Sequence, residues 1–381
     1  MNAGVKTGSS GLSTLQVERN DKYKGLVVAL SALCRQKNHG LGYTSIADQD
    51  ASATSCVSSR MPSWRVLPLL SSGEEYKEAV AKPVARPKVD GRKERNMSRV
   101  LVIGTDNRVS REIGDALSAA AFPMEYSAGD ADALQRLRMR SFGVVITSPD
   151  SAVDEDLALL EEIRVVRPGV KCIVLAHHST PGEVISALRA RVFACFTPPF
   201  DADDIANLAC RAASDSQWRN DIQVLSAKPG WVSVRVNCRL ITAERLLTFA
   251  KELSAQLPDD TRQETMQGLR EILLNAMEHG AAFNPEQVVE VTSVRTGRAL
   301  VFYVRDPGAG FRRESLTHAA IANPADDLVA HIAHRQEQGM RAGGFGLLLA
   351  GGAVDELIYS EIGNEVLLIK YVDPAASINP V

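Results

Sequence analysis

The stretch EILLNAMEHG, Glu271 to Gly280, sets Glu271, Asn275 and His279 four residues apart. That spacing stacks side chains along one side of a helix. The longer run DDTRQETMQGLREILLNAMEHG, residues 259–280, places Met266, Leu269, Leu273 and Ala276 on one face and Glu271, Asn275 and Glu278 opposite them. Taken alone, such a polar stripe is what a solvated surface helix carries. The residues that follow change this reading. QVVEVTSVRTG and ALVFYVRDPGAGF form a hairpin, and its second strand ends in Asp-x-Gly-x-Gly at Asp306, Gly308 and Gly310. Further on, RAGGFGLLLAGG sets Gly343, Gly344 and Gly346 just before a helical run. Glycine lets backbone approach a ligand closely, an Asp at the loop entrance can accept a hydrogen bond from an amine, and N–H groups at a helix start bind anions. One glycine pair is weak evidence. The ordered set of a carboxylate–Asn helix, DxGxG and GGxG is specific.

Upstream of this set, WVSVRVNCRL alternates as a half-buried strand and TAERLLTFAKELSAQL as an amphipathic helix, so a domain opens after SDSQWRND. Between Arg99 and that point the texture differs. RVLVIG, FGVVIT, KCIVLA and VFACFT are short apolar runs, each followed by a helical pattern: SREIGDALSAA, LALLEEIRVV, EVISALRA and DDIANLACRAA. Strand–helix alternation of this kind predicts a parallel sheet covered on both faces, a doubly wound α/β domain. Residues 1–96 are rich in Ser, Gly, Lys and Arg, lack sustained periodicity and end in AKPVARPKVDGRKERN. They read as a disordered arm or linker. A regulatory or targeting role competes there with a plain extension or a misplaced start, and Met97, directly before the first clear strand, favours the latter. The domains expected are therefore 1–96 arm, 97–215 doubly wound domain, 216–375 second α/β domain and 376–381 tail.

Composition limits the function. A chain of 381 residues with 45% hydrophobic content can bury sizeable cores. A formal net charge of -3 gives no global basic field, so direct nucleic-acid binding is not expected and phosphate binding has to be local. The six cysteines, Cys34, Cys56, Cys172, Cys195, Cys210 and Cys238, are scattered without a CxxC pair or a nearby His at ligand spacing, as in a reducing cytoplasm. No apolar run reaches the roughly 18 to 20 residues that span a bilayer. KYKGLVVALSALC, Lys22 to Cys34, imitates a signal-peptide core, but its lead-in carries Glu18 and Asp21 and Leu33 is too large for a cleavage site. A cytoplasmic location without membrane contact is expected.

The strand–helix spacing of the first domain resembles the receiver domain of bacterial response regulators. That family holds Mg²⁺ and accepts phosphate through an acidic pair, a strand-three Asp, a switch Thr or Ser and a Lys. Aligned strand by strand, the acidic pair falls on Gly104 and Thr105, with Asp106 one place late. The phosphoacceptor falls on Ser148, the switch hydroxyl on Ala176 and the Lys on Pro198. Without carboxylates around Mg²⁺ there is no acyl-phosphate chemistry, so a degenerate receiver is expected. Asp150, two residues past Ser148, reads as a loop Asp, and His177–His178 as a surface pair without a third ligand.

Residues 228 to 372 resemble the ATPase superfamily shared by histidine kinases, DNA gyrase, mismatch-repair proteins and a heat-shock chaperone. Within it they look most like the anti-sigma-factor serine kinases of bacterial partner switching. EILLNAMEHG in its place and the closing VDELIYSEIGNEVLLIKY carry that likeness. The resemblance implies an α/β-sandwich (Bergerat) fold binding ATP and Mg²⁺, with Glu271 as general base, Asn275 as Mg²⁺ ligand and His279 beside the phosphates. It also implies Asp306 on the adenine amine, Gly308 and Gly310 shaping the base pocket, and Gly343, Gly344 and Gly346 lining the triphosphate. Pro307 and Ala309 fill the variable positions, and the lid segment Arg312 to Ala342 is too irregular to align. No GxxxxGK[ST] occurs, which excludes a P-loop, and none of the seven histidines sits in a His-[Glu/Asp]-x-x-[Pro/Thr] dimerisation helix. The expected function is an ATP-binding signalling regulator, a serine/threonine-protein kinase acting on a protein partner such as an anti-sigma antagonist or a sigma-like factor, with a homodimer allowed. A non-catalytic ATP-dependent sequestering module and a partner-assisted histidine kinase are the alternatives.

Overall fold

The computed structural model describes residues 64–66, 99–104, 107–215, 221–311, 319–320, 323, 330–337 and 344–372. The described residues from 65 onward fall in one compact unit, which carries both sheets except for Trp64 at the start of one short strand.

The first sheet holds β2 (Arg99–Ile103), β3 (Met124–Ser127), β4 (Phe142–Ile146), β5 (Lys171–Leu175) and β6 (Ala194–Phe196), all parallel, in the order β3-β2-β4-β5-β6. Its helices are α1 (Arg108–Ala119), α2 (Asp130–Met139), α3 (Val153–Val166), α4 (Pro181–Arg189) and α5 (Ala202–Ser214). The order reverses once, beside β2, as in doubly wound sheets of the flavodoxin type. Both faces are covered. Val100, Val102, Val144 and Ile146 pack with Ile113, Leu117, Ile205 and Ala209 of α1 and α5. Leu101, Ile103 and Val145 pack with Leu134, Leu137, Leu159 and Ile163 of α2 and α3. Sequence periodicity misses β3 and α2, because β3 is a short edge strand whose residues are only half-buried and so carry little apolar signal.

The second sheet runs β1-β11-β12-β10-β9-β8-β7, comprising β1 (Trp64–Val66), β7 (Ile222–Lys228), β8 (Trp231–Asn237), β9 (Val288–Arg295), β10 (Ala299–Arg305), β11 (Glu356–Ser360) and β12 (Glu365–Tyr371). The pairings from β7 to β12 are antiparallel. Against it lie α6 (Leu240–Leu253), α7 (Asp259–Asn275) and α9 (Gly346–Ala353), while α8 (Ala330–Glu337) falls inside the lid segment. Val232, Val234, Val236, Phe302 and Leu368 meet Leu246, Phe249, Leu269 and Leu273 in one layer, giving an α/β sandwich. β1 lies within the stretch read as a linker arm, and the rest of that stretch is outside the described residues. β7 also went unforeseen, since its outward residues leave no clear alternation. Strand β10 is covered on both faces, with Val301 and Tyr303 buried as well as Leu300 and Phe302.

The two domains share a core. Cys172, Val184, Leu188 and Cys195 of the parallel-sheet domain belong to the same apolar cluster as Val232, Leu246 and Phe249 of the second. Polar contacts reinforce the seam. Arg245 of α6, 1% exposed, donates through Nε to Phe193 O at 2.8 Å and stacks 4.6 Å from the Phe193 ring centre. Glu252, also buried, accepts from Thr197 N at 3.3 Å and from Thr197 Oγ1. Arg239 bonds Asp215 at 2.7 Å and Asp221 at 2.8 Å, one on each side of the stretch 216–220.

Candidate nucleotide site

The polar stripe of α7 does not face solvent. Glu271 and Asn275 line a cleft of about 780 Å³ together with His279, Asp306, Gly310, Gly344 and Gly346. Gly308 is one residue outside that lining, and Gly343 lies outside the described residues. Two local departures from regular helix follow Asn275. After Asn275 the α-helix continues as a π-turn, Ala276–Gly280, a feature that sequence spacing does not signal and that recurs at functional sites. The chain then turns through Ala282 and Phe283 at φ 51° and 49°, a left-handed conformation costly for residues with a Cβ. His279, at the end of the π-turn, is exposed at the cleft edge.

The glycines are explained by what touches them. A Cβ on Gly280 would stand 2.3 Å from the Asp306 carboxylate, and one on Gly308 would stand 2.8 Å from Gly280 Cα. The π-turn and the Asp-x-Gly turn are thus in direct backbone contact, so Gly280 belongs to the site although sequence reasoning left it out. A small residue directly after His279 was the available signal. Gly310 has φ 78°, and a Cβ there would stand 2.1 Å from Ile362 O in the β11–β12 turn. Gly346 begins α9, and a Cβ on it would stand 3.0 Å from Glu271 Oε2 and 3.5 Å from Asn275 Nδ2. The start of α9 therefore sits directly over both polar residues of α7. No side chain caps that helix start, as suits a place where N–H groups meet an anion. Gly268, near Ala350 and Ala353, lets α7 and α9 approach this closely.

Asp306 ends β10. Its Oδ1 accepts from Gly308 N at 2.8 Å, its own N–H donates to Asn364 O at 3.0 Å, and Asn364 Nδ2 donates to Gly308 O at 3.3 Å. Burial raises the Asp306 pKa, with the Gly308 N–H opposing the shift. Phe311 and Tyr359, edge to face at 5.1 Å, form an apolar wall of the same cleft. A half-buried carboxylate beside an apolar slot at one end, and an uncapped helix start over Glu271 and Asn275 at the other, suit an amphipathic ligand with an amine-bearing ring and an anionic tail. Among the described residues no group of three or more His, Cys, Asp or Glu could hold a metal. Asn275 and Glu271 fit Mg²⁺, which takes one or two protein oxygens and completes its shell with phosphates and water.

At the positions that the receiver resemblance singles out, a hydroxyl, an amide and a carboxylate lie close together. A Cβ on Gly104 would stand 3.2 Å from Ser148 Oγ, and Asn107 Nδ2 donates to Asp150 Oδ2 at 2.7 Å. Ala176 is fully buried, and Thr105 and Asp106 lie outside the described residues. His177 and His178 are exposed and pack edge to face, in keeping with a surface pair.

Fold and cleft together define an α/β sandwich with an open polar and apolar cleft, appended to a doubly wound, receiver-like domain. Residues 237–370 match the family described as histidine kinase-like ATPase domain. Solved structures similar to part of this chain include receiver domains and response regulators. One from Methanospirillum hungatei is 20% identical, covering 31% of this chain and 94% of its own at TM-score 0.27. A response regulator from Thermotoga maritima is 20% identical, covering 31% and 99% at TM-score 0.28. The receiver domain of nitrogen regulatory protein C is 24% identical, covering 32% and 99% at TM-score 0.29. A comparison with curated proteins gives no match. No helix among the described residues is long and apolar enough to cross a membrane.

Proposed function

We propose that the protein is an ATP-binding signalling regulator that transfers the γ-phosphoryl group of ATP to a Ser or Thr of a protein partner, in the manner of anti-sigma-factor kinases. The observation that carries this reading is the pair Glu271 and Asn275, one helical turn apart and both in contact range of Gly346 at the start of α9. Asp306 accepts from the adenine amine, Phe311 and Tyr359 wall the base, and Gly308 and Gly310 allow it to approach. Gly343, Gly344 and Gly346 present backbone to the phosphates, with His279 at the margin. Glu271 takes the proton from the attacking hydroxyl, and Asn275 supplies an oxygen to Mg²⁺. Bound Mg²⁺ neutralises phosphate charge. In this reading the receiver-like domain accepts no phosphate, and the cytoplasmic partner is an antagonist or sigma-like protein.

A second reading has its own support. Arg270 Nη1 lies 3.1 Å from Glu271 Oε1, so one oxygen of the presumptive base is already engaged, as suits a nucleotide-dependent module that captures its partner without chemistry. Glu271→Gln separates the two. It preserves shape and hydrogen-bonding reach but removes basicity, so transfer should fall by much of the roughly 100-fold to 10,000-fold of general-base catalysis while Mg-ATP binding persists. Labelled ATP with the co-purified partner, followed by mass-spectrometric location of the phosphate, reads this directly. A wild-type protein that binds the partner only with ATP yet labels nothing overturns the kinase reading and leaves the sequestering module.

A further inference from the structure

The cleft is lined by the acids Glu271, Glu278, Asp306 and Glu365, and the arginines that line it are Arg270 and Arg335. A triphosphate entering such a cleft meets net negative charge, and Arg270 is held against Glu271. Arg335 differs in placement. It lies on α8, inside the irregular lid segment, and is only 9% exposed. One turn earlier on the same helix, His331 is 1% exposed. Its backbone N–H donates to Asn323 Oδ1 at 2.9 Å, and its ring meets the Phe345 ring edge to face at 4.5 Å. Phe345 is the residue directly before Gly346, where α9 begins. The pair His331 and Phe345 therefore fastens α8 to the start of α9, and residues four apart on a helix share a face, which brings Arg335 to the cleft wall beside that start.

From this we infer that Arg335 is a phosphate-binding residue of the cleft, its guanidinium engaging the anionic end of the nucleotide opposite the N–H groups of α9. The inference rests on the ATP reading above and names a residue which that reading does not use. A guanidinium presents a planar fork that matches phosphate oxygens two at a time, so it discriminates by the number of phosphates and not by the base.

The test is calorimetric titration of the full chain with adenosine, ADP and ATP, each with Mg²⁺, for wild type, Arg335→Gln and Arg335→Lys. Adenosine affinity is expected to stay within about twofold in both variants, whereas ATP affinity falls ~10- to 100-fold in Arg335→Gln, the range of one charge-assisted hydrogen-bond pair. Arg335→Lys keeps the charge, preserves the fold where Gln does not, and recovers part of the loss. Equal ATP affinity in wild type and both variants overturns the inference while leaving the ATP reading intact. An equal loss of adenosine and ATP affinity overturns it too, by making Arg335 a structural wall. A wild type that binds none of the three ligands fails the ATP reading itself.

Discussion

Gly280 and Asp306 are in such close contact that a single methyl group on the first would stand 2.3 Å from the carboxylate of the second. The π-turn that ends α7 is thus shaped to receive the loop that ends β10. Gly280→Ala should displace Asp306 from the cleft, costing ~1 to 3 kcal/mol of stability by overpacking and lowering adenine-nucleotide affinity at least as much as loss of the carboxylate does. Urea unfolding and titration calorimetry measure the two effects. Wild-type values for both would show that the contact relaxes freely.

Asp306→Asn leaves this packing intact and changes only the acceptor. An amide can present its NH₂ to the adenine amine, and hydrogen bonds to charged groups contribute about 1.5 to 3 kcal/mol, so ATP should bind roughly tenfold or more weakly and selectivity over GTP should fall. Unchanged calorimetric affinities would mean that adenine is read elsewhere.

Asp156 of α3 accepts from Thr147 Oγ1 at 2.8 Å and Ser151 Oγ at 2.7 Å, and burial raises its pKa to about 7, with Asp130 and Glu155 adding to the shift. A folded pKa above the unfolded one means that the group's stabilising contribution is complete below an unfolded pKa of ~3.9 and lost as pH rises through 7. Stability should therefore decline between pH 5 and pH 8, by up to about 1.4 kcal/mol per unit from this group. Asp156→Asn should flatten the decline. Denaturant unfolding at the two pH values decides it, and an identical slope in the variant would assign the pH dependence to other groups.

The seam between the domains predicts one unfolding transition. Arg245→Met keeps the length of the side chain but removes its buried hydrogen bond to Phe193 O and its charge, which should cost ~1 to 3 kcal/mol. The whole transition should shift with it, whether followed by circular dichroism or by the fluorescence of the tryptophans, one of which, Trp231, lies in β8. Separate transitions for the two sheets would show that the shared core does not couple them.

The receiver-like domain should accept no phosphate. Ser148 stands where the acceptor Asp would be and Pro198 where the Lys would be. Incubation with acetyl phosphate and Mg²⁺ should leave no acid-labile adduct. Stoichiometric labelling at any Asp would refute this.

How much of this was legible beforehand follows from burial. Strands β2, β4, β5 and β6 announce themselves as apolar runs because both of their faces are covered, whereas β3 and β7, at sheet edges, leave most residues partly wet and carry no comparable pattern. The helix bearing Glu271 and Asn275 could be read from its apolar face, and its polar face could be assigned to a site only because the glycine turns follow in order. Asp306, Gly308, Gly310, Gly344 and Gly346 are local motifs, legible because each turn needs a residue without a Cβ or an acceptor at a set offset.

Local spacing did determine the two α/β layers, the parallel sheet before the mixed helix-and-hairpin domain, and the residues proposed for the nucleotide. Tertiary structure alone decided that Gly280 touches Asp306, that Gly346 lies over Glu271, that Arg335 reaches the cleft wall and that Arg245 and Glu252 of one domain bond to Phe193 and Thr197 of the other. The physical reason is range. Helix and strand periods record which side of an element leaves water, over a few residues at a time. Which buried side meets which, across tens of residues of sequence, depends on how whole elements pack, and there steric contact and charge are settled only once the chain has closed on itself.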